Sequence, residues 1–309
     1  MTERYELRLF AQYRDLVENL LPAPPVVSGG IVVLRGEVGD AVFSRLAEVE
    51  CDLQKFGLAG TCAGWKIKRS YTQEELQRGE LFLIKPPFTH LSAEEYGTLY
   101  TESETCRQVS FDFELIDPSG SQIRTVPRLV PCGLCSKQAT TLHLPLSRLP
   151  RSRDLVMLWG GEIVLSERFY SLLTSRAYPG SEFRPVVGRG KKRYASESNY
   201  RRGPCQLIVY SSPVEVSKEC RFGSNPFDFE SYGSYRCPSG EIAGLNLLST
   251  LKVVRSTWDG SDISRTRIYV GGRQGLFRPH QLLLVSKRVF HAMRGAAIKG
   301  FDYEVAELV

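Results

Sequence analysis

Two cysteines, Cys132 and Cys135, stand at the spacing used by zinc-binding turns. A Cys-x-x-Cys turn places two thiolates so that both can face one tetrahedral metal ion. A complete site needs two further ligands, and the sequence has no second CxxC, so the tertiary fold would have to bring a histidine or another thiol. The other thiols considered are Cys106, Cys205, Cys220 and Cys237. Three interpretations stay open: zinc ligands, a redox pair without its usual βαβ setting, and a degenerate or reduced pair. Zinc is the one cofactor suggested, and none is firmly indicated.

A basic segment spans residues 184–202, RPVVGRGKKRYASESNYRR, with seven arginines and lysines against one glutamate. The members that we consider as contacts for an anion or a partner are Arg189, Lys191, Lys192, Arg193, Arg201 and Arg202. The Gly188-Arg189-Gly190 run does not have the spacing of a GxxxxGK[ST] phosphate loop. Only Tyr194 and Tyr200 could stack on bases, so a solvated linker and a nucleic-acid contact both remain interpretations.

No catalytic constellation is visible in the sequence. The histidines at 90, 143, 280 and 291 are scattered, and neither HExxH nor GxSxG occurs. The carboxylates show no recognisable acid–base pair. We therefore expect a binding protein and not an enzyme.

A strand–helix–strand pattern occurs twice, at a constant offset of 120 residues. In residues 160–186 an apolar run precedes Ser166, which we predict to cap a helix, and a glycine precedes the return strand. The pattern recurs at 282–305, with the matched pairs Ser166/Ser286, Arg168/Arg288, Ala177/Ala297 and Gly180/Gly300. The acid of Ser166-Glu167-Arg168 is replaced in Ser286-Lys287-Arg288, which favours a structural cap over chemistry. Gly60 lies a further 120 residues upstream, so residues 31–60 are a hypothetical first copy.

The remaining patterns predict helices interleaved with antiparallel hairpins. We predict helices over 5–21 and 40–56, a capping box at Thr72 and Glu75, a strand at 81–84, and a hairpin of 109–115 with 122–126. These elements predict an α+β fold with mixed and antiparallel sheets and repeated strand–helix–strand units. The basic segment suggests a boundary between an N-terminal region, 1–188, and a C-terminal region, 189–309.

Composition and charge predict an ordinary globular protein. The chain is 42% hydrophobic and 24% charged, which disfavours wholesale disorder. No apolar run approaches the roughly 20 residues that a membrane-spanning helix needs. The charged N-terminus is unlike a signal peptide, so we expect a cytoplasmic protein without a membrane partner.

The run from Phe111 to Val186 resembles the double-CXXCG family, a paralogous group of myxobacterial proteins that includes immunity partners of polymorphic toxins. The resembling elements are the hairpin FDFELIDPSGSQI, then PCGLC, then LPRSRDLVMLW, then IVLSERFYSLLTSRAYPGSEFRPV. The chain departs from the family pattern at Ser136, where the family has glycine, and it lacks the second CxxCG. Cys132 and Cys135 are the only positions that carry over as metal ligands.

The resemblance implies an immunity-type protein that binds and neutralises a cognate toxin domain through loops on a rigid scaffold. The net charge of +6 suits a toxin with an acidic face. The alternative is a nucleic-acid-binding module that uses residues 184–202, whose affinity would fall steeply as salt rises.

Overall fold

The chain forms an α+β fold with mixed and antiparallel sheets, as the sequence predicts. The structure is a computed structural model. It describes residues 1–15, 26–28, 31–37, 40–55, 62–89, 91, 99–101, 109–116, 122–130, 136–138, 142–188, 203–223, 235–236, 242–243, 246–271 and 280–309.

The N-terminal unit is a four-stranded antiparallel sheet covered on one face by a helix. Its elements are β1 (Thr2–Phe10), β2 (Val26–Ser28), β3 (Ile31–Glu37), α1 (Ala41–Lys55) and β4 (Cys62–Ser70). The strand order is β2-β3-β1-β4, so β1 lies between β3 and β4. Phe43 and Leu46 of α1 pack on Leu7 and Leu9 of β1, which orients the opposite sheet face away from the helix.

The helix predicted over residues 5–21 is wrong for its first half, which is the strand β1. Leu7 and Leu9 are buried, whereas Arg8 between them is exposed, so the apolar residues alternate with a period of two. Two neighbouring strands satisfy the backbone of β1 on both sides, and this tertiary pairing outweighs the helical spacing of the apolar residues. Residues 16–21 lie outside the described residues.

Two short elements follow: α2 (Gln73–Arg78) and β5 (Leu81–Lys85). The predicted capping box is confirmed, because Glu75 N donates to Thr72 Oγ1 and Thr72 N donates to the Glu75 carboxylate.

The predicted hairpin is confirmed as β7 paired with β8. The strands of this stretch are β6 (Leu99–Thr101), β7 (Val109–Ile116), β8 (Gln122–Val130), β9 (Ser136–Gln138), β10 (Leu142–Leu144), β11 (Leu155–Met157) and β12 (Ile163–Leu165). The elements after them are α3 (Glu167–Ser175), β13 (Ser181–Gly188), β14 (Cys205–Val209), β15 (Phe222–Gly223), β16 (Tyr235–Arg236), β17 (Ile242–Ala243) and β18 (Asn246–Leu247). The last are β19 (Lys252–Val253), β20 (Ile263–Val270), β21 (His280–Ser286), α4 (Lys287–Gly295) and β22 (Asp302–Leu308).

The predicted repeat is confirmed as two five-stranded sheets of one design. The middle unit is the sheet β10-β13-β14-β12-β11 with α3, and the C-terminal unit is the sheet β19-β22-β5-β21-β20 with α4. In the middle unit Ile163 and Phe183 pair with Leu207 from its two sides. In the C-terminal unit Leu283 and Tyr303, each 120 positions later, pair with Ile84 in the same way. Each sheet has one parallel pair at its edge, β10 with β13 or β19 with β22.

The central strands of these two sheets are exchanged. Along the chain β5 comes before all the strands of the middle unit, yet it is the central strand of the C-terminal sheet. In the same way β14 precedes the strands of the C-terminal unit but lies at the centre of the middle sheet. After each exchanged strand the chain crosses over: Trp159 N in the middle unit donates to Leu91 O, and Arg267 N in the C-terminal unit donates to Val214 O. The two units are therefore interlocked.

The N-terminal unit has the same topology without the exchange. Its order β2-β3-β1-β4 matches β11-β12-β14-β13 and β20-β21-β5-β22, and every one of these pairs is antiparallel. The hypothetical first copy thus has the topology of the repeat, with β1 supplying its central strand. Gly60, the residue that suggested it, lies outside the described residues.

One hydrophobic core joins the middle and C-terminal units. Phe82 and Val285 point to the sheet face that packs against Leu165 and the helices α3 and α4. In this core the Phe82 ring stacks on the Phe290 ring, with 3.9 Å between the ring centroids. Neighbouring residues such as Leu284 point to a second core on the other sheet face. Burial on both faces explains why these strands have uninterrupted apolar runs.

The predicted boundary at residues 188/189 falls in the connection between β13 and β14. These strands pair with each other in one sheet. The division into 1–188 and 189–309 remains a prediction.

Candidate functional site

The residues predicted to do chemistry lie outside the described residues. This applies to Cys132 and Cys135 and to the basic set Arg189, Lys191, Lys192, Arg193, Arg201 and Arg202. Zinc binding and an anion contact therefore stay predictions. The first five residues of the basic segment, 184–188, are not a linker but the end of strand β13, where Arg184 pairs with Glu182. Gly203, directly after the segment, leads into the paired strand β14.

A cleft of about 320 Å³ lies where the basic segment rejoins the fold. Gly203 and Pro204 form one wall, and Leu149 and Val156 contribute apolar surface. Arg151, Arg153, Ser166 and Glu167 complete its lining with polar groups. The cleft thus combines an apolar surface with two arginines, a serine and a glutamate.

Ser166 and Ser286 are helix caps, as the sequence analysis favours. Each hydroxyl accepts a hydrogen bond from the backbone three residues on, at 3.2 Å from Phe169 N and 3.3 Å from Val289 N. Each also donates to a buried aspartate, Asp154 or Asp262. A hydroxyl held between a carboxylate and a backbone amide is a structural cap.

The two aspartates also fasten one unit to the other. Asp154 N donates to Lys299 O, and Lys299 N donates to the Asp154 carboxylate at 2.8 Å. Asp262 N donates to Pro179 O, the residue 120 positions before Lys299. The constant-offset repeat could not reveal this pair, because Asp154 stands 12 residues before its serine and Asp262 stands 24 before its own. The available signal was an aspartate before each edge strand.

The paired arginines of the repeat bridge α3 and α4. Arg168 donates to the carbonyls of Ala296 and Ala297, beyond the end of α4. Arg288 pairs with Asp262 and lies 5.1 Å from the centroid of the Tyr178 ring, beyond the end of α3. The hydrogen bond to Asp262 raises the pKa of Arg288 above its ordinary value. The start of each helix thus lies beside the end of the other.

A groove of about 520 Å³ lies between these two helices. Its floor includes Leu172 and Ala292, and Arg176, Arg288 and His291 line it. Residues 287–301 contain four arginines and lysines and no acidic residue. The charged residues that line the groove itself are Arg176 and Arg288, and Arg288 is already engaged by Asp262.

A second surface, the charged sheet face, is the face of the N-terminal sheet opposite α1. Its charged members are Arg4, Glu6, Arg8, Arg35, Glu37, Lys66 and Lys68. Lys66 is paired with Asp302 of β22. At its centre the Glu6 carboxylate lies 2.9 Å from Arg35, 3.6 Å from Arg8 and 3.9 Å from Lys68. The hydrogen bond from Arg35 is the main cause that lowers the pKa of Glu6, and burial opposes it. One carboxylate is shared by three cations, so positive charge is in excess here.

The N-terminal unit is fixed to the C-terminal unit by a buried ion network. Arg69 of β4 contacts Glu3 at 2.6 Å and Glu304 of β22 at 2.9 Å. Burial acts to lower the pKa of Arg69, but Glu304 and Glu3 outweigh it and raise the pKa above the ordinary value. A buried pair that loses one partner leaves an uncompensated charge, so this network makes a specific junction between the units.

Two of the described thiols, Cys205 and Cys220, lie in settings unlike those of reactive nucleophiles, whereas Cys51 is exposed. Cys205 and Cys220 are buried, and burial raises the pKa of each thiol. No cluster of three or more histidine, cysteine or acidic side chains that could hold a metal ion occurs within the described part of the chain. Of the helices that the structure describes, none is long and apolar enough to cross a membrane.

No protein-family model matches this chain, and no curated protein matches it either. The resemblance to the double-CXXCG family stays a prediction from the motifs between Phe111 and Val186.

Proposed function

We propose that this chain is an immunity-type protein that binds a cognate bacterial toxin domain and neutralises it. The observation that carries the proposal is the succession of elements in the resembling segment. Hairpin β7–β8, strand β12, the Ser166-capped helix α3 and the closing Gly180 come along the chain in the order that the resemblance implies. Cys132 and Cys135 fall between the hairpin and β12.

The architecture supports a binding role. The middle and C-terminal units share one core and exchange their central strands, which gives a rigid scaffold. A rigid scaffold lowers the part of the binding cost that comes from ordering the interface. The protein would occlude the toxin by covering its active site, with an interface of standard size or larger.

The test is co-expression with the product of a neighbouring toxin-like gene. Cells that produce the toxin alone should stop growing, and cells that also produce this protein should grow. The purified pair should elute as one complex. A neighbouring product that is neither toxic nor bound by this protein would refute the proposal.

A further inference from the structure

We propose that the charged sheet face of the N-terminal unit is the surface on which an acidic segment of the partner protein docks. The inference rests on the proposed function, since the partner is the toxin domain. It goes further by giving the contact surface and the chemistry of the segment that it receives.

The excess of cations over carboxylates carries the inference. Arg8 and Lys68 share the Glu6 carboxylate with Arg35, yet their side chains stay 61% and 57% exposed, whereas Glu6 is only 14% exposed. Arg35 is itself 69% exposed. A carboxylate from outside could therefore approach these three cations without first breaking the hydrogen bond between Arg35 and Glu6. Such complementarity steers association and fixes register.

The geometry suits a protein segment. Arg4 and Arg8 stand four residues apart on one strand, about 14 Å at strand rise, and the three strands span about 10 Å. This patch is the charged part of a footprint that reaches about 800 Å² per partner in a standard interface. Phe10, at the end of the same face, is 44% exposed and adds an aromatic contact of the kind enriched in protein interfaces.

Nucleic acid fits this face less well. Single-stranded sites use several aromatic rings for stacking, and among the described residues of this face Phe10 is the one ring. The groove between α3 and α4 is the rival surface for a protein, but Asp262 already engages Arg288 there.

The first test is titration of the full-length protein with a fluorescent oligo-glutamate peptide at low salt, with oligo-glutamine as the uncharged control. Arg8→Glu and Lys68→Glu should each weaken binding, on the order of tenfold. Arg45→Glu is the matched control, because it makes the same charge change on α1, which covers the opposite sheet face. Glu6→Gln should strengthen binding, since it removes the carboxylate that holds the three cations.

The proposal is overturned if Arg8→Glu binds the peptide as tightly as Arg45→Glu does. Loss of binding in Arg176→Glu instead would assign the contact to the helix groove. Tighter binding of a short DNA duplex than of the peptide, with the same dependence on Arg8, would assign the face to nucleic acid. Arg8→Gln, with an unchanged thermal midpoint, covers the case in which Arg8→Glu does not fold.

A second titration, with the purified toxin domain, separates this inference from the proposed function. If the wild type and Arg8→Glu bind the toxin equally, the docking surface is wrong and the function stands. If the peptide depends on Arg8 but the toxin is not bound, the proposed function is wrong and the acid-binding face stands.

Discussion

The hydroxyls of Ser166 and Ser286 each make two hydrogen bonds, one to a helix amide and one to a buried aspartate. Asp154 bonds to Lys299 after α4, and Asp262 bonds to Pro179 after α3. A change at either serine should therefore affect both units. These few side chains thus help to determine how the two units are joined.

We expect Ser166→Ala and Ser286→Ala each to lower the free energy of unfolding by about 1–2 kcal/mol, as loss of a cap and of a hydrogen bond does. The effect should be larger at Ser286, because Ser286 and Asp262 are the more deeply buried pair. Urea denaturation measures both. Ser171→Ala, at an exposed position of α3, should stay within about 0.5 kcal/mol of wild type. Equal effects at all three positions would contradict the capping role.

The thiols give a second prediction at this scale. Alkylation at neutral pH should modify exposed Cys51 quickly and buried Cys205 and Cys220 slowly. Burial raises the pKa of both buried thiols from 9.0, so the neutral thiol is favoured in the fold, and the stability that this contributes is present below pH 9.0 and lost as the pH rises further. Peptide mapping by mass spectrometry measures each site. Fast labelling of Cys205 in the folded protein would show that it is not buried.

At the scale of elements, two glycines fix how the units meet. Gly180 and Gly300 have φ of +106° and +89°. A Cβ on Gly180 would overlap the carbonyl oxygen of Ile263, and one on Gly300 would lie 2.6 Å from Arg153 Cβ. Each glycine therefore serves both a left-handed turn and a close contact with the other unit.

Gly180→Ala should lower the free energy of unfolding by roughly 3 kcal/mol or more, because backbone strain and a clash with a backbone atom add. Gly260→Ala is the control, since Gly260 has φ +81° but open space around it. It should lose about 1 kcal/mol from strain alone. Thermal and urea denaturation give both values. A similar loss at the two positions would mean that the contact with Ile263 is not tight.

Local signals were sufficient for several elements and insufficient for others. The capping box at Thr72, the caps at Ser166 and Ser286 and the hairpin β7–β8 depend on short-range chemistry, so the sequence predicted them. Strand β1 was predicted as a helix, because its two pairing strands come later in the chain and leave no local mark. The hydrogen bonds of Asp154 and Asp262 between the units, and the charged sheet face, could not be predicted for the same reason. Only the fold brings Glu6 beside Lys68.

At the scale of the whole molecule, the exchange of β5 and β14 determines how the units stay together. The sequence repeat indicated two similar units. It gave no indication that β5 pairs in the sheet of the C-terminal unit or that β14 pairs in the sheet of the middle unit. Phe82 of β5 stacks on Phe290 of α4, which lies more than two hundred positions later. The exchanged strand is thus part of the shared core.

Phe82→Ala should lower the free energy of unfolding by about 3–5 kcal/mol, the loss typical of a buried phenylalanine. Hydrogen exchange should become faster in β21 and β22, the strands that flank β5. Phe43→Ala is the matched control, because it opens the core of the N-terminal unit and should leave β21 and β22 protected. If Phe82→Ala leaves the exchange of β21 and β22 unchanged, β5 is not the centre of that sheet.

For the molecule as a whole, we propose that it neutralises a toxin by binding it. The most direct measurement is the residual activity of the purified cognate toxin domain as full-length protein is added. We predict that activity falls in proportion to added protein and is abolished near equimolar ratio, and that Arg8→Glu shifts this curve to higher concentration while Arg45→Glu does not. Full toxin activity in the presence of excess wild-type protein would contradict the claim.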